Sequence, residues 1–151
     1  IRIEKHRLAS RLWSIMKFES GLKTKIESFK DIEIIAKNIS KIKNVEAVYL
    51  FGSYARGEIH AKSDVDFCVF LKKEDEKTIS EVSSYSSDNV DISFFHMLPL
   101  AIRFRVFKEG KPLAIKDKSF IDILKISTWK NYLDIKPLIN RYCMERFGCT
   151  I

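Results

Sequence analysis

Residues in the middle of the chain have types and a spacing that suit chemistry on phosphates. Gly52 and Ser53 follow an apolar run, and Asp64 and Asp66 open a second apolar run ten residues later. A third carboxylate, Asp91, interrupts a later stretch of strand-forming residues. Carboxylate oxygens suit Mg²⁺, and two such ions can clamp the attacking and leaving oxygens of an in-line displacement at phosphorus. The pattern therefore predicts a metal-assisted phosphate site.

This site is interpreted as one for nucleotidyl transfer, in which each residue type has its own role. Asp64, Asp66 and Asp91 would hold metal ions, and Asp91 would also help to deprotonate the attacking hydroxyl. Ser53 and the backbone amides beside it would bind the terminal phosphates of a nucleotide, because the amino end of a helix attracts anions. Gly52 would let the backbone come close to that ligand.

Basic side chains nearby are candidates for neutralising the triphosphate. Arg56 lies one helical turn after the serine and carries a guanidinium that suits phosphate. A surface ion pair of Arg56 with Glu58 or another acid is the alternative, and the sequence leaves both open. Lys62 is a further candidate for the same role. For the third carboxylate, Asp88 competes with Asp91, which is favoured because strand-forming residues flank it.

Predicted strands at 45–51, 64–71 and 89–96 would position these residues. The first is a nearly continuous apolar run, typical of a strand that is covered on both faces. In the second, the two-residue period puts both aspartates on one face and the intervening apolar residues in the core. If the third strand lies beside the second, Asp91 reaches the same pocket. A short helix at 53–58 would follow the first strand.

Helical periodicity fills the chain before these strands. Residues 22–43 carry an apolar face that includes Phe29, and they stop at Asn44, a residue type that tolerates the left-handed conformation. Residues 1–21 are predicted to form an N-terminal helical extension. Residues 22–151 are predicted to form one domain with helices at its C-terminal end.

Helices are also predicted after the third strand. A helix from residue 97 ends at Gly110, before a short extended piece. Ser119 and Asp122 resemble a capping box at the start of the next helix, and Pro137 kinks or restarts that helix. The last predicted apolar face consists of Leu138, Ile139, Tyr142 and Phe147.

Composition limits the class of protein. With 151 residues, of which 46% are hydrophobic, the chain is long enough for one domain with a substantial core. No apolar run approaches the roughly 18 residues that span a bilayer, so no membrane partner is predicted. Three cysteines without close pairs argue against a disulfide framework and favour the reducing cytoplasm. Cys68, inside an apolar strand, is predicted to pack in the core.

The net charge of +7 is unevenly distributed. Residues 1–44 contain 11 basic and 5 acidic residues, residues 45–96 contain 5 and 10, and residues 97–151 contain 11 and 5. An acidic centre between basic flanks suits cations in the middle and a polyanion held from the sides. Lysine-rich helices also serve solubility alone, and no aromatic-basic motif supports direct binding of RNA through the flanks.

The stretch LFGSYARGEIHAKSDVDF resembles the signature of the DNA polymerase β-type nucleotidyltransferase superfamily, and is most similar to the minimal nucleotidyltransferases (MNT) of prokaryotes. The later segments PLAIRFRVFKEGKPL and WKNYLDIKP resemble the MntA-like antitoxin branch. The resemblance implies an α/β (α+β) fold, a small mixed β-sheet flanked by helices, with two Mg²⁺ ions and a nucleoside triphosphate, usually ATP. The residues that match the family pattern are Gly52, Ser53, Asp64, Asp66 and Asp91.

That branch pairs the enzyme with a HEPN-domain ribonuclease toxin, which the enzyme silences by transferring AMP to a toxin tyrosine. The resemblance covers roughly residues 45–135 and implies a cognate HEPN toxin as partner in a hetero-oligomer. The nucleotidyltransferase domain is predicted at 22–151. Two other functions stay open. One is a non-catalytic antitoxin that acts by occlusion, and the other is a nucleotidyltransferase acting on a small molecule such as an aminoglycoside.

Overall fold

The computed structural model describes residues 29–58 and 64–150. The predicted extension at 1–21 and the first turns of the helix predicted at 22–43 lie outside these residues, as does Lys62. In the two described ranges, no helix is both long enough and apolar enough to cross a membrane.

A four-stranded mixed sheet with the strand order β3-β2-β1-β4 forms the centre of the molecule. Its strands are β1 (Val45–Phe51), β2 (Val65–Leu71), β3 (Val90–Phe94) and β4 (Lys111–Ile115). Strand β1 runs antiparallel to β2 and to β4, whereas β2 runs parallel to β3. The three predicted strands and the predicted order of β2 beside β3 are confirmed. The extended piece after Gly110 is a full edge strand.

Five helices in the described ranges surround the sheet. They are α1 (Phe29–Ser40), α2 (Ser53–Arg56), α3 (Glu76–Ser83), α4 (Leu100–Glu109) and α5 (Lys118–Phe147), with a 3₁₀ turn at Phe95–Met97 between β3 and α4.

One face of the sheet packs on α1 and α3 through aliphatic side chains. Helix α1 buries Ile32, Ile35, Ala36 and Ile39. Phe29, which was predicted to lie on the apolar face of this helix, is 51% exposed. The buried part of that face begins one turn later, at Ile32. Asn44 has a φ of 70°, which confirms the left-handed stop before β1.

The other face packs on α4 and α5 through aromatic side chains. The ring of Phe70 lies 4.5 Å from that of Phe95, 5.0 Å from that of Tyr49 and 5.5 Å from that of Phe107, measured between centroids. Cys68 is fully buried in the same cluster, which confirms its predicted place in the core. We call these residues, with Ala47, Val106 and Ile121, the aromatic cluster.

Helix α5 differs from its predicted form. Its N-cap is Asp117, whose carboxylate accepts a hydrogen bond of 3.1 Å from the Phe120 amide, so the predicted capping box of Ser119 and Asp122 is wrong. The helix continues through Pro137 and ends at Gly148.

The apolar face predicted near the end of α5 is largely exposed rather than buried. Leu138, Tyr142 and Phe147 are 61%, 55% and 68% exposed. The apolar pattern there was therefore no guide to packing within this chain, because no described element covers that surface.

Candidate active site

Two of the three predicted carboxylates lie side by side at one end of the sheet. Asp66 in β2 is the register partner of Asp91 in β3, and on its other side it is the partner of Phe51 in β1. Neighbouring strands lie about 4.8 Å apart, so the three backbones form one row across the sheet. Both aspartates are half-buried and lie on the face that carries the aromatic cluster. The predicted approach of Asp91 to Asp66 is therefore found in the strand register.

Gly52 follows directly on this row and needs to be glycine for two reasons. Its φ of 75° and ψ of −152° lie in a region that only glycine adopts readily. A Cβ atom at this position would also collide with the carboxylate of Asp66. The Asp66 side chain thus lies against the backbone turn between β1 and α2, in the space that the missing side chain leaves.

The other predicted acid, Asp64, lies just before β2 and is exposed. If the extended strand geometry continued to this residue, its spacing of two from Asp66 would put it on the same side of the chain. Within 29–58 and 64–150, no group of three His, Cys, Asp or Glu side chains is arranged to hold a metal ion. The carboxylate oxygens of Asp64, Asp66 and Asp91 are of the ligand type that a hard cation such as Mg²⁺ prefers. The metal-binding role of these residues stays a prediction.

Helix α2 carries the two nucleotide-binding candidates of this segment. Ser53 is its first residue and is half-buried, and Arg56 is its last. Arg56 forms the predicted ion pair with Glu58, with 3.3 Å between its Nε and a carboxylate oxygen. Its Nη1 also lies 3.7 Å from a carboxylate oxygen of Glu109 in α4. The ion-pair alternative for Arg56 is therefore present, with Glu109 as the second acid.

A cavity of about 200 Å³ opens beside the carboxylate row. Arg105, which was not among the predicted site residues, contributes to its wall. No local signal could have found this residue, because α4 is about fifty positions away from Gly52 in sequence and reaches it only through the tertiary fold. The lining residues are Phe51, Gly52, Arg56, Ile102, Arg105 and Glu109.

Three titratable groups outside the carboxylate row have shifted pKa values. Burial raises the pKa of the Cys68 thiol well above its usual range, as expected for an inert core cysteine. Burial also raises the pKa of the Tyr49 phenol, with a smaller contribution from Asp122. For His96, burial lowers the pKa. These shifts follow from packing on the aromatic face.

Comparison with known proteins decides the family. The model of the family described as "Polymerase beta, Nucleotidyltransferase" matches residues 32–119, which is more than half of the chain. The chain belongs to this family. The match includes Gly52, Ser53, Asp64, Asp66 and Asp91 within its bounds.

Known relatives and solved structures are consistent with membership of this nucleotidyltransferase family. A candidate protein adenylyltransferase of Methanocaldococcus jannaschii is 36% identical over 67 residues, which is 44% of this chain and 53% of the relative. The chain thus spans about half the length of that relative.

Two solved structures share the fold. A toxin–antitoxin structure with AMP-PNP has a chain that is 21% identical, with a TM-score of 0.63 over 78% of this chain and 98% of its own length. The complex of a tri-AMPylated Shewanella oneidensis HEPN toxin with its MNT antitoxin has a chain that is 18% identical, with a TM-score of 0.56 over 80% of this chain and 95% of its own length. At these identities the likeness establishes a polymerase β-type nucleotidyltransferase fold, as predicted.

Proposed function

We propose that this protein is a Mg²⁺-dependent adenylyltransferase that moves AMP from ATP to a hydroxyl group of a partner protein. The acceptor in this proposal is a tyrosine of a cognate HEPN toxin, and the transfer makes the protein an antitoxin. The observation that carries the proposal is the row at the end of the sheet. There, Asp66 and Asp91 are direct neighbours, and the Asp66 carboxylate fills the space beside Gly52.

The predicted site residues have defined tasks in such a reaction. Asp64, Asp66 and Asp91 would hold the Mg²⁺ ions, which supply positive charge for the phosphate oxygens. Asp91 accepts the proton of the acceptor hydroxyl, whose oxygen forms a bond to the α-phosphorus. The bond from that phosphorus to the bridging oxygen breaks, and pyrophosphate leaves. Ser53 and its backbone amide orient the terminal phosphates.

Relatives support the choice of acceptor and partner. The relative that is 36% identical is a candidate protein adenylyltransferase. One solved structure with the same fold holds AMP-PNP, and another pairs an MNT antitoxin with a tri-AMPylated HEPN toxin. The free thiols of Cys68, Cys143 and Cys149 support action in a reducing compartment such as the cytoplasm.

The long helix α5 supports a protein partner independently of the chemistry. Several of its large apolar side chains are more than half exposed, at positions that no described element covers. Large exposed apolar surfaces mark interaction sites. Helix α5 also carries six basic and three acidic residues, so an acidic and apolar partner surface would complement it. We call the following residues the α5 apolar surface: Ile123, Ile126, Leu133, Leu138, Met144 and Phe147.

The test combines the protein, Mg²⁺ and ATP labelled at the α-phosphate with the cognate HEPN toxin that the proposal requires. Label is expected to move to the toxin, and Asp66→Asn is expected to lose at least about a thousandfold in rate, since metal ligation supplies several kcal/mol. Asp88→Asn removes the same charge from an exposed turn and serves as the matched control. Label transfer that is absent from the wild type, or unchanged in Asp66→Asn, would reject the proposal.

The α5 apolar surface also favours a second function, neutralisation of the toxin by occlusion alone. The two functions separate in a growth-rescue assay with the Asp66→Asn protein. Rescue by that variant equal to rescue by the wild type favours occlusion. Loss of rescue while the variant still binds the toxin favours adenylyl transfer.

A further inference from the structure

Two arginines from different elements meet at one carboxylate oxygen beside the carboxylate row. Arg105 in α4 places its Nη2 3.6 Å from Oε2 of Glu109, and Arg56 in α2 places its Nη1 3.7 Å from the same atom. The pair within α4 is an ordinary i, i+4 helix pair. The approach of Arg56 is different, because it joins α4 to the segment that directly follows Gly52.

These ion pairs are of a kind that a stronger anion can replace. Both separations exceed the 2.7–3.2 Å of a hydrogen bond between nitrogen and oxygen. The side chains of Arg56, Arg105 and Glu109 are 37%, 57% and 33% exposed, so water screens their attraction. Neither guanidinium is held in the bidentate geometry that makes an arginine–carboxylate pair strong.

From this arrangement we propose that Arg105 is a second phosphate-binding residue, which acts with Arg56 on the β- and γ-phosphates of the nucleotide, and that Glu109 competes with those phosphates for both arginines. This inference rests on the proposed nucleotidyltransferase function. Without nucleotide, Glu109 and Glu58 balance the charge of the two arginines. When the triphosphate arrives, its oxygens replace the Glu109 carboxylate as the partner of both guanidinium groups.

The size and the position of the cavity favour the phosphates over the nucleoside. Its volume of about 200 Å³ is below the roughly 300–1,000 Å³ of pockets that enclose a whole drug-sized ligand. Gly52 and the last residue of α2 are part of its wall, which puts the cavity beside the turn that is predicted to hold the terminal phosphates. Two guanidinium groups at that point suit a diphosphate group.

Equilibrium binding measures this role without any transfer reaction. Dissociation constants for ATP and AMP are determined with Mg²⁺, and inorganic pyrophosphate is used as a competitor. Arg105→Ala is expected to weaken binding of ATP and of pyrophosphate by about tenfold, in line with one charged hydrogen bond. Binding of AMP is expected to change by less than about twofold. Arg105→Lys should restore part of the ATP affinity, because a point charge remains but the planar fork does not.

Lys108→Ala is the matched control for Arg105→Ala. Lys108 lies on the same helix, is exposed, and does not line the cavity. Its removal takes away one positive charge from α4 and is expected to leave the dissociation constant of ATP within about twofold of the wild type. Because Arg105 is 57% exposed, its variant is expected to keep the melting temperature of the parent.

Glu109→Gln tests the competition directly. Removing this carboxylate leaves the two arginines with one fewer competitor, so ATP binding is expected to tighten severalfold and AMP binding is expected to change little. Glu81→Gln, at an exposed position of α3, is the control for loss of one negative charge. Weaker ATP binding in Glu109→Gln would overturn the competitive role.

The outcomes separate this inference from the proposed function. If Arg105→Ala matches Lys108→Ala in ATP binding, or weakens AMP as much as ATP, the phosphate role of Arg105 is wrong even where the toxin is labelled. If ATP binding depends on Arg105 but the wild type labels no toxin, the phosphate role is upheld and the proposed transfer is rejected.

Discussion

One face of the sheet holds two regions of opposite character only two residue rows apart. At its end, the row through Phe51, Asp66 and Asp91 puts two carboxylates next to each other. Two positions further along β2 the same face holds Cys68, which is fully buried among aromatic rings. Like charges on neighbouring strands are destabilising, whereas packed aromatic rings stabilise. The comparison indicates that the carboxylate row lowers stability, as the proposed chemistry would require, and that the aromatic cluster supplies the stability.

The largest effect is expected from Asp91→Asn. Adenylyl transfer should fall by at least about a thousandfold, because a metal ligand and a proton acceptor are lost together. The free energy of unfolding should stay the same or rise by up to about 1 kcal/mol, since one of two adjacent like charges is removed. Label transfer and urea denaturation measure the two quantities.

Ser93→Ala, two residues further along the same strand face, is the control for Asp91→Asn. It should leave the transfer rate within about twofold of the wild type. If Asp91→Asn lowers stability by several kcal/mol, the division between the two regions does not hold.

Phe70→Ala in the aromatic cluster is expected to lower the free energy of unfolding, in contrast to Asp91→Asn. This ring contacts those of Tyr49, Phe95 and Phe107, and removal of a buried phenyl ring usually lowers the free energy of unfolding by about 3–5 kcal/mol. Phe147→Ala removes the same side chain from a position that is 68% exposed and should change stability by less than about 0.5 kcal/mol. Similar losses in the two variants would show that the cluster has no special weight.

The sequence was informative where the pattern is local. Strand β1 was predicted with the bounds that the structure shows, and β2 begins one residue later than predicted. In β2 and β3, the alternation of residue types correctly predicted that the apolar residues on either side of Asp66 and Asp91 lie in the core. These successes depend on the apolar run of β1 and on the two-residue period of β2 and β3, which are visible in any short window.

The parts that were missed depend on contacts between distant segments. Strand β4 pairs with β1, and Arg105 and Glu109 in α4 come close to Arg56 in α2. Both contacts join segments that are far apart in sequence. The start of α5 was also missed, because Asp117 and the pair of Ser119 and Asp122 compete for the same capping role in sequence. Only the structure shows that the Asp117 carboxylate accepts a hydrogen bond from the Phe120 amide.

A substitution at the junction of the two regions should affect both properties. Gly52→Ala is expected to lower the free energy of unfolding by about 2 kcal/mol, because only glycine adopts this backbone conformation readily. The new Cβ atom would also displace the Asp66 carboxylate, so transfer should fall with it. Gly57→Ala has a similar positive φ of 74° but nothing within 4 Å of its added Cβ, and should lower stability without displacing the carboxylate. Equal losses of transfer in both variants would show that the contact with Asp66 is unimportant.

The smallest effect concerns the pH dependence of the aromatic cluster. Burial raises the pKa of the Cys68 thiol above its ordinary value of 9.0, so above about pH 9 the unfolded chain releases this proton while the folded chain keeps it. The stability that Cys68 contributes is therefore complete below pH 9 and is lost as the pH rises, by up to about 1.4 kcal/mol per pH unit. Cys68→Ala lacks this titration and keeps every other titratable group, so those groups contribute to both proteins alike. Denaturation from pH 7 to 10.5 should show the wild type losing its advantage over Cys68→Ala, and a constant difference between them would place Cys68 in contact with solvent.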